Sequence, residues 1–483
     1  MPSDAAADLV SHARSTRVVV IGGGIAGLVA ALECAKVGMP VTLLEASGRL
    51  GGLASSAELD GRIVDTVADG FRAAPGALAD LVDELGLAGD VVAARPADTW
   101  VAGPHGVAPL PRDSIFGIPA NPFDDRTRRI IGWPGAWRAY LDRLRPPLTI
   151  GKTQSLAALV GARLGARVVD RMVAPLTYGI HGVAPEVVDV DSAVRGLNTA
   201  LTRTGSLTGA VAQQLPDAEA PPSRATLRGG MSTLVTALVA KLADLDVDVR
   251  TNAPARALTR VGDGWSVSVD VDDVAPADGT GGAEPQPGEI AARAVIVATP
   301  EVPARRLLAP HLGGLDGAPF SPPDVDVVTL VLDTPALDAH PRGHAVYAAP
   351  GEAPALAVVH ATATWPHDPA EPHIVRVTLP ASREADAAVT ASAIAAASTL
   401  LGVDLGTPLA AYRCRVPRAL PASALMPARD DARTAVRRTS SLGVVGAWIG
   451  GNGLVRVVSD AAAESERVRS ALLWGRGAED ALD

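Results

Sequence analysis

Three glycines at a fixed spacing stand first among the residues able to support chemistry. Gly22, Gly24 and Gly27 form a G-x-G-x-x-G that follows the expected buried strand 17–21 and opens the Ala-rich stretch 25–37. Gly22 permits a tight turn, Gly24 lets the backbone approach a pyrophosphate, and Gly27 lets a helix lie close on a strand. A helix starting at Ile25 and Ala26 offers free N–H groups and a partial positive charge to phosphate oxygens. Glu45 ends a second apolar run, 40–44, where a carboxylate can accept hydrogen bonds from a ribose diol. The pattern is that of a dinucleotide site.

Other chemistries find no support. No Ser-His-Asp, Cys-His or paired-carboxylate arrangement argues for nucleophilic or hydrolytic catalysis. The nine histidines show no metal-ligand spacing, so no metal is expected. Cys34 and Cys414 form no C-x-x-C and point to a reduced, cytosolic compartment.

The residues after Glu45 narrow the cofactor. Glu45-Ala46-Ser47-Gly48-Arg49-Leu50-Gly51-Gly52 resembles the E-x-x-x-R-x-G-G signature of the flavin amine-oxidase and protoporphyrinogen-oxidase superfamily. The resemblance implies FAD, with Arg49 near its phosphates and the paired glycines, Gly52 included, passing close to it. Three later segments are similar to the same family. Leu227-Arg228-Gly229-Gly230-Met231 resembles its L-x-G-G return to the FAD domain, and residues 294–300 resemble its buried "VVATP" strand. Val445-Gly446-Ala447-Trp448 and Gly450-Gly451-Asn452-Gly453-Leu454 resemble the C-terminal glycine segment that closes over the flavin. The implied cofactor contacts are Gly22, Gly24, Ile25, Ala26, Gly27, Glu45, Ala46, Arg49, Gly52, Val67, Ala68, Ala255, Gly446, Trp448, Gly453 and Leu454.

Further segments resemble the porphyrinogen-oxidase branch: Leu110-Pro111 with Phe116-Gly117-Ile118-Pro119, the stretch 163–176, and His360 to His367 ending in Trp-Pro-His. What they imply is an FAD-dependent, O2-linked six-electron oxidation of a porphyrinogen to a porphyrin in haem synthesis. Coproporphyrinogen III is the favoured substrate, because the arginine-rich composition fits the high-GC Gram-positive branch; protoporphyrinogen IX stays open. Propionates need guanidinium partners, and Arg72, Arg95, Arg112 and Arg195 are placed to supply one. His181 lies in the expected substrate loop. The chain also departs from the family. Asp65-Thr66-Val67 replaces Asp-x-Gly, where a β-branched residue would be strained on a glycine-only path. His181-Gly182-Val183 replaces Tyr-Ala-Gly. The alternatives are a divergent amine oxidase or desaturase, and an FAD-bound but catalytically silent homologue.

The elements that position these residues follow from pattern and length. At 483 residues the chain needs more than one core. The expected fold class is α/β: a discontinuous Rossmann-like FAD-binding domain (15–70, 225–305, 420–475), an antiparallel-sheet substrate domain (71–108, 306–419) and a helical insertion (109–224). Residues 1–15 read as a tail and 271–289 as an exposed hairpin extension. The net charge of −10 argues against nucleic acid as a partner. No run is long and apolar enough to cross a bilayer. Residues 124–152, however, interleave seven basic residues with Trp133, Trp137, Tyr140, Leu141 and Leu144. Such a segment fits either a peripheral contact with the inner membrane face or a helix packed on the substrate domain. A homodimer is left open.

Overall fold

A computed structural model describes residues 10–144, 155–216, 224–270, 287–313, 315, 323–417 and 426–474. The expected tail (1–15), hairpin extension (271–289) and end of the basic segment (145–152) fall partly or wholly outside them.

Short apolar runs buried on both faces make a parallel sheet. Its strands are β1 (Val18–Ile21), β2 (Val41–Leu44), β3 (Asp248–Arg250), β4 (Ala294–Val297) and β5 (Leu442–Val444), in the order β3-β2-β1-β4-β5. All four neighbouring pairs are parallel. Side-chain alternation sends Val18 and Val20 to one core and Val19 and Ile21 to another. The first core is covered by α1 (Ile25–Ala35), α2 (Ser232–Asp244) and α3 (Leu454–Trp474). The second lies beneath the antiparallel strands Ala255–Val261, Gly264–Asp270 and Pro287–Ala292 and the helix Glu301–Leu308. The sheet draws on four separate stretches of chain, the discontinuous α/β arrangement expected.

A seven-stranded sheet forms a second body, in the order Ala410–Val416, Val325–Leu332, His373–Pro380, Ala357–His360, Ala345–Ala348, Thr99–Gly103, Gly106–Pro109. The Ala-rich helix Asp386–Leu401 packs on it and stops at Gly402, whose φ of +75° suits a helix C-terminus. The sheet is mixed rather than wholly antiparallel: Ala345–Ala348 and Thr99–Gly103 run parallel. The chain leaves after Pro109 and returns only at Val325, so no hairpin dictates direction where the two pieces meet.

Between these pieces comes the helical insertion, with its own buried cluster. Its first helix, Asp125–Tyr140, is N-capped by the Asp124 carboxylate and bends at Gly132 (φ +70°), two residues before Pro134. A small sheet of Phe71–Arg72, Arg224–Leu227 and Val91–Ala93 sits where the bodies join. No described helix is long and apolar enough to cross a membrane.

Candidate active site

The glycine turn between β1 and α1 is sterically determined. A Cβ on Gly22 (φ +113°) would lie 2.7 Å from the Ala298 carbonyl oxygen, and one on Gly27 would lie 1.8 Å from that of Gly22. These two glycines serve the strand–helix approach. Gly24 differs: a Cβ there would meet no described protein atom within 4 Å, and its φ of −71° suits any residue. Protein packing therefore gives no reason for glycine at 24, and the open space before it lies at the free N–H groups of α1.

Glu45 stands beside this turn. Its carboxylate accepts from Gly23 N at 2.7 Å, Ser47 N at 2.9 Å and the Ser47 hydroxyl at 2.7 Å, which holds it in place with lone pairs to spare. Backbone bonds of Glu45 to Arg250 and Ala253 place the start of the Ala255–Val261 strand at the same end. The Arg49–Gly52 loop then folds back over the turn. Gly51 N donates to Gly23 O at 2.8 Å, and a Cβ on Gly52 would come within 3.3 Å of Gly24 Cα. Both glycines have positive φ. Ala46 continues this loop, while the Arg49 guanidinium donates to the Tyr412 hydroxyl at 2.9 Å, reaching the seven-stranded sheet.

From Gly52 the path continues to the Asp65-Thr66-Val67 departure. Thr66 N donates to Ser55 O at 3.2 Å and Ala68 N to Leu53 O at 3.1 Å. Val67 is not among the residues with positive φ, so the strain expected of a β-branched residue here does not arise; its side chain packs with Val325, Val327 and Val416. Asp65 accepts from Ser56 Oγ and Met231 N, capping the Gly229-Gly230 turn. Burial nevertheless pushes its carboxyl above the ordinary range. On the other side, Gly446 (φ +117°) faces Ala26, a Cβ there lying 4.0 Å from the alanine's. Gly446 precedes a short helix, Ala447–Gly450, and Gly453 (φ +93°) precedes α3, whose first residue is Leu454. The Trp448 ring is turned away into the core shared with Ile21 and Val444, leaving only its backbone for a ligand.

The substrate candidates are more scattered. His181 is buried, stacked on Phe116 at 5.8 Å, at the end of the π-helical turn Thr177–His181. Arg112 shares Asp98 with Arg126, each at 3.0 Å, and Arg195 is exposed before the helix Leu197–Thr204. Arg72 and Arg95 are both near Arg224 along the backbone, and the Arg95 charge acts on His340 and His367. Arg72 is the cross-strand partner of Arg224, whose carbonyl bonds Ala94 N, next to Arg95. Neither Arg72 nor Arg95 has an ion pair among the described residues.

Two clusters escaped the sequence reading. Asp69, just past Val67, meets Arg376, Arg224 (3.7 Å) and Trp365 Nε1 (3.0 Å). Burial alone would raise its pKa, but Arg376, then Arg224 and Trp365, hold it below the ordinary range. The second cluster gathers His340, His360, His367 and His373, with His373 Nε2 3.0 Å from Asp338. It has no metal-holding geometry among the described residues. A lone arginine in the buried strand His373–Pro380 was the available signal for the first.

These contacts link the Glu45 carboxylate, Gly24 and Gly52, residues 66–68 and the Gly446 segment, an arrangement that fits FAD. The open face of Gly24 and the helix N-terminus of α1 suit a pyrophosphate-bridged dinucleotide. Comparison with known proteins agrees. The profile of the flavin containing amine oxidoreductases matches residues 25–407. The coproporphyrinogen III oxidase of Mycobacterium tuberculosis is 30% identical over 234 residues, 46% of this chain and 49% of that protein. That of Staphylococcus aureus is 31% identical over 168 residues, covering 34% and 36%. The matches thus span about half or less of these curated relatives. In fold, the chain is similar to the crystal structure of a candidate protoporphyrinogen oxidase from Exiguobacterium sp. 255-15, with a TM-score of 0.79 and 21% identity over 95% of this chain and 99% of that one. The chain belongs to the flavin containing amine oxidoreductase family, and its cofactor is FAD.

Proposed function

We propose that this protein is an FAD-dependent porphyrinogen oxidase of haem synthesis that converts coproporphyrinogen III to coproporphyrin III with O2 as acceptor. The observation that carries the reading is the unbroken lining from Glu45 through Gly24 and Gly52 to Ala68, closed by Gly446, in a chain whose relatives are named coproporphyrinogen III oxidases. Bound FAD supplies two-electron acceptance, so three rounds complete the six-electron oxidation.

The chain's own residues bind, orient and exclude water. Gly23 and Ser47 hold Glu45 where its remaining lone pairs reach a ribose diol. The first N–H groups of α1, at Ile25 and Ala26, face the open side of Gly24 and suit phosphate oxygens. The helix starts at Ala447 and Leu454 orient N–H groups that favour negative charge beside them. Arg72, opposite Arg224, is the best-placed partner for a substrate propionate, with Arg95 next to it. Arg224 already has a carboxylate partner in Asp69 at 3.7 Å, whereas Arg72 is exposed and has no ion pair among the described residues. An R72A/R95A variant should raise KM for the porphyrinogen several-fold with little change in flavin content; an unchanged KM would remove both from the site.

The basic segment supports a contact with the inner membrane face. Its apolar residues divide between two sides: Ile130 and Ile131 are fully buried, whereas Trp133 and Trp137 are each 57% exposed and Leu144 74%. Arg128 lies over the Trp133 ring at 4.5 Å and Arg143 over Tyr140 at 5.6 Å. An exposed aromatic row carrying cations fits an anionic lipid surface. Aerobic turnover of coproporphyrinogen III, followed by porphyrin fluorescence, tests the main reading.

A further inference from the structure

We propose that Arg376 and Asp69 are positioning residues for the cofactor, holding the loop 65–70 in the conformation that borders the flavin. The inference rests on the reading that this loop lines the cofactor path. Arg376 sits mid-strand in the seven-stranded sheet, between Val375 and Val377, which are both fully buried. A guanidinium there is costly to bury unless fully partnered. Its partners are both in the loop. Arg376 Nη1 donates to the Asp65 carbonyl at 3.1 Å, and Nη2 donates to the Asp69 carboxylate. One side chain thus grips the first residue of the loop and the fifth.

The surroundings leave the loop little freedom. Trp365 Nε1 donates to the same Asp69 oxygen, and Arg224 stands at 3.7 Å from the other. A Cβ on Gly70 would meet the Trp365 ring at 2.7 Å and Ala225 O at 2.6 Å. Between the anchored ends, Thr66 and Ala68 bond residues 55 and 53, which follow the Gly51-Gly52 pair directly. Losing Arg376 leaves Asp69 with only Trp365 Nε1 and Arg224 at 3.7 Å, and the Asp65 carbonyl without its side-chain donor. The loop would then relax away from residues 53–55, and with it the flavin end of the site.

The test compares Arg376→Gln, Arg376→Lys and Asp69→Asn in the full chain with Arg413→Gln. Arg413 is an arginine of the same sheet, bonded to the fully buried Asp326 at 2.7 Å. Binding of FAD by fluorescence quenching and the visible flavin spectrum are the readouts, with far-UV circular dichroism as the fold control. Arg376→Gln and Asp69→Asn should weaken FAD binding about tenfold or more and shift the flavin bands, the usual scale of losing a charge-assisted hydrogen bond. Arg376→Lys should recover part of the loss, since an ammonium lacks the planar fork needed for both acceptors. Arg413→Gln should lower Tm yet leave affinity and spectrum unchanged. Wild-type affinity and spectrum in Arg376→Gln, or an equal flavin defect in Arg413→Gln, would overturn the proposal. Should Arg376→Gln aggregate, unchanged spectra in Arg376→Lys and Asp69→Asn would overturn it equally. A wild-type protein that takes up no FAD would instead overturn the underlying reading, and this inference with it.

Discussion

Substituting Gly24 by alanine should leave the apoprotein folded and weaken flavin binding, whereas Gly27→Ala should damage the fold itself. The contrast comes from what each new methyl meets. At position 27 it lies 1.8 Å from a backbone oxygen and 3.0 Å from the adjoining carbonyl carbon, where ordinary contact begins near 3.4 Å. Neither atom can rotate away, so α1 must shift by about 1.5 Å relative to β1, an over-packing that costs about 1–3 kcal/mol or more. At position 24 the methyl meets no described protein atom within 4 Å, and φ −71°, ψ 173° is allowed for alanine. Reduced unfolded-state entropy favours alanine by about 0.4–1 kcal/mol, and its poorer helix capping costs a similar amount. Apoprotein stability should therefore stay within about 1 kcal/mol of wild type. A pyrophosphate approaching the open face would be displaced by the methyl, and the same over-packing scale of about 1–3 kcal/mol corresponds to a loss of about 10–100-fold in affinity. Thermal unfolding of the apoproteins and FAD fluorescence titration measure the two effects separately. Wild-type FAD affinity in Gly24→Ala, or a drop in apoprotein stability matching Gly27→Ala, would refute the reasoning.

Three further outcomes follow from the structure. Burial first, then the charges of His373, His340 and His367, pushes His360 down to about 3 from an ordinary 6.5. The folded value lies below the unfolded one, so the unfolded chain takes up the proton first as pH falls below about 6.5. Stability should drop by about 2 kcal/mol between pH 7 and pH 5 from this residue alone, and His360→Gln should flatten that slope in urea unfolding; an unchanged slope counts against it. Replacing Trp133 and Trp137 by serine should abolish co-sedimentation with anionic vesicles at low salt without altering Tm by more than a few degrees, because both rings are exposed. Equal sedimentation of wild type and variant would remove the membrane contact. Gly70→Ala, placed against Trp365 and Ala225, should lower Tm by several degrees in a thermal melt; a neutral effect would mean the loop has slack.

The parts of this molecule legible in its sequence are those whose physics is local. Gly22 and Gly27 are demanded by a strand–turn–helix spanning a few residues, and the doubly buried runs at 18–21 and 294–297 could be little else than parallel strands. Gly446 and Gly453, both at positive φ, stand in the same kind of local turn, each directly before a helix. What could not be read depends on direction and distance. The Trp448 ring faces the core because of the packing beneath β5, which no neighbouring residue announces. Strain expected at Val67 vanished because its backbone takes an ordinary φ and its side chain finds three valines far along the chain. Asp69 and Arg376 lie 307 residues apart, and only the fold brings them together. Of the four candidate arginines, Arg112 is paired with Asp98, Arg195 is exposed, and Arg72 and Arg95 have no ion pair among the described residues, none of which the spacing could announce.

The most direct measurement is the aerobic reaction of the FAD-loaded protein with coproporphyrinogen III, with protoporphyrinogen IX in parallel, followed by porphyrin fluorescence. A rise above the autoxidation background is expected, faster with coproporphyrinogen III and requiring more added FAD in Gly24→Ala. A protein that holds FAD yet oxidises neither porphyrinogen above background would contradict it, and would mark the chain as a divergent flavin oxidase or a silent flavoprotein.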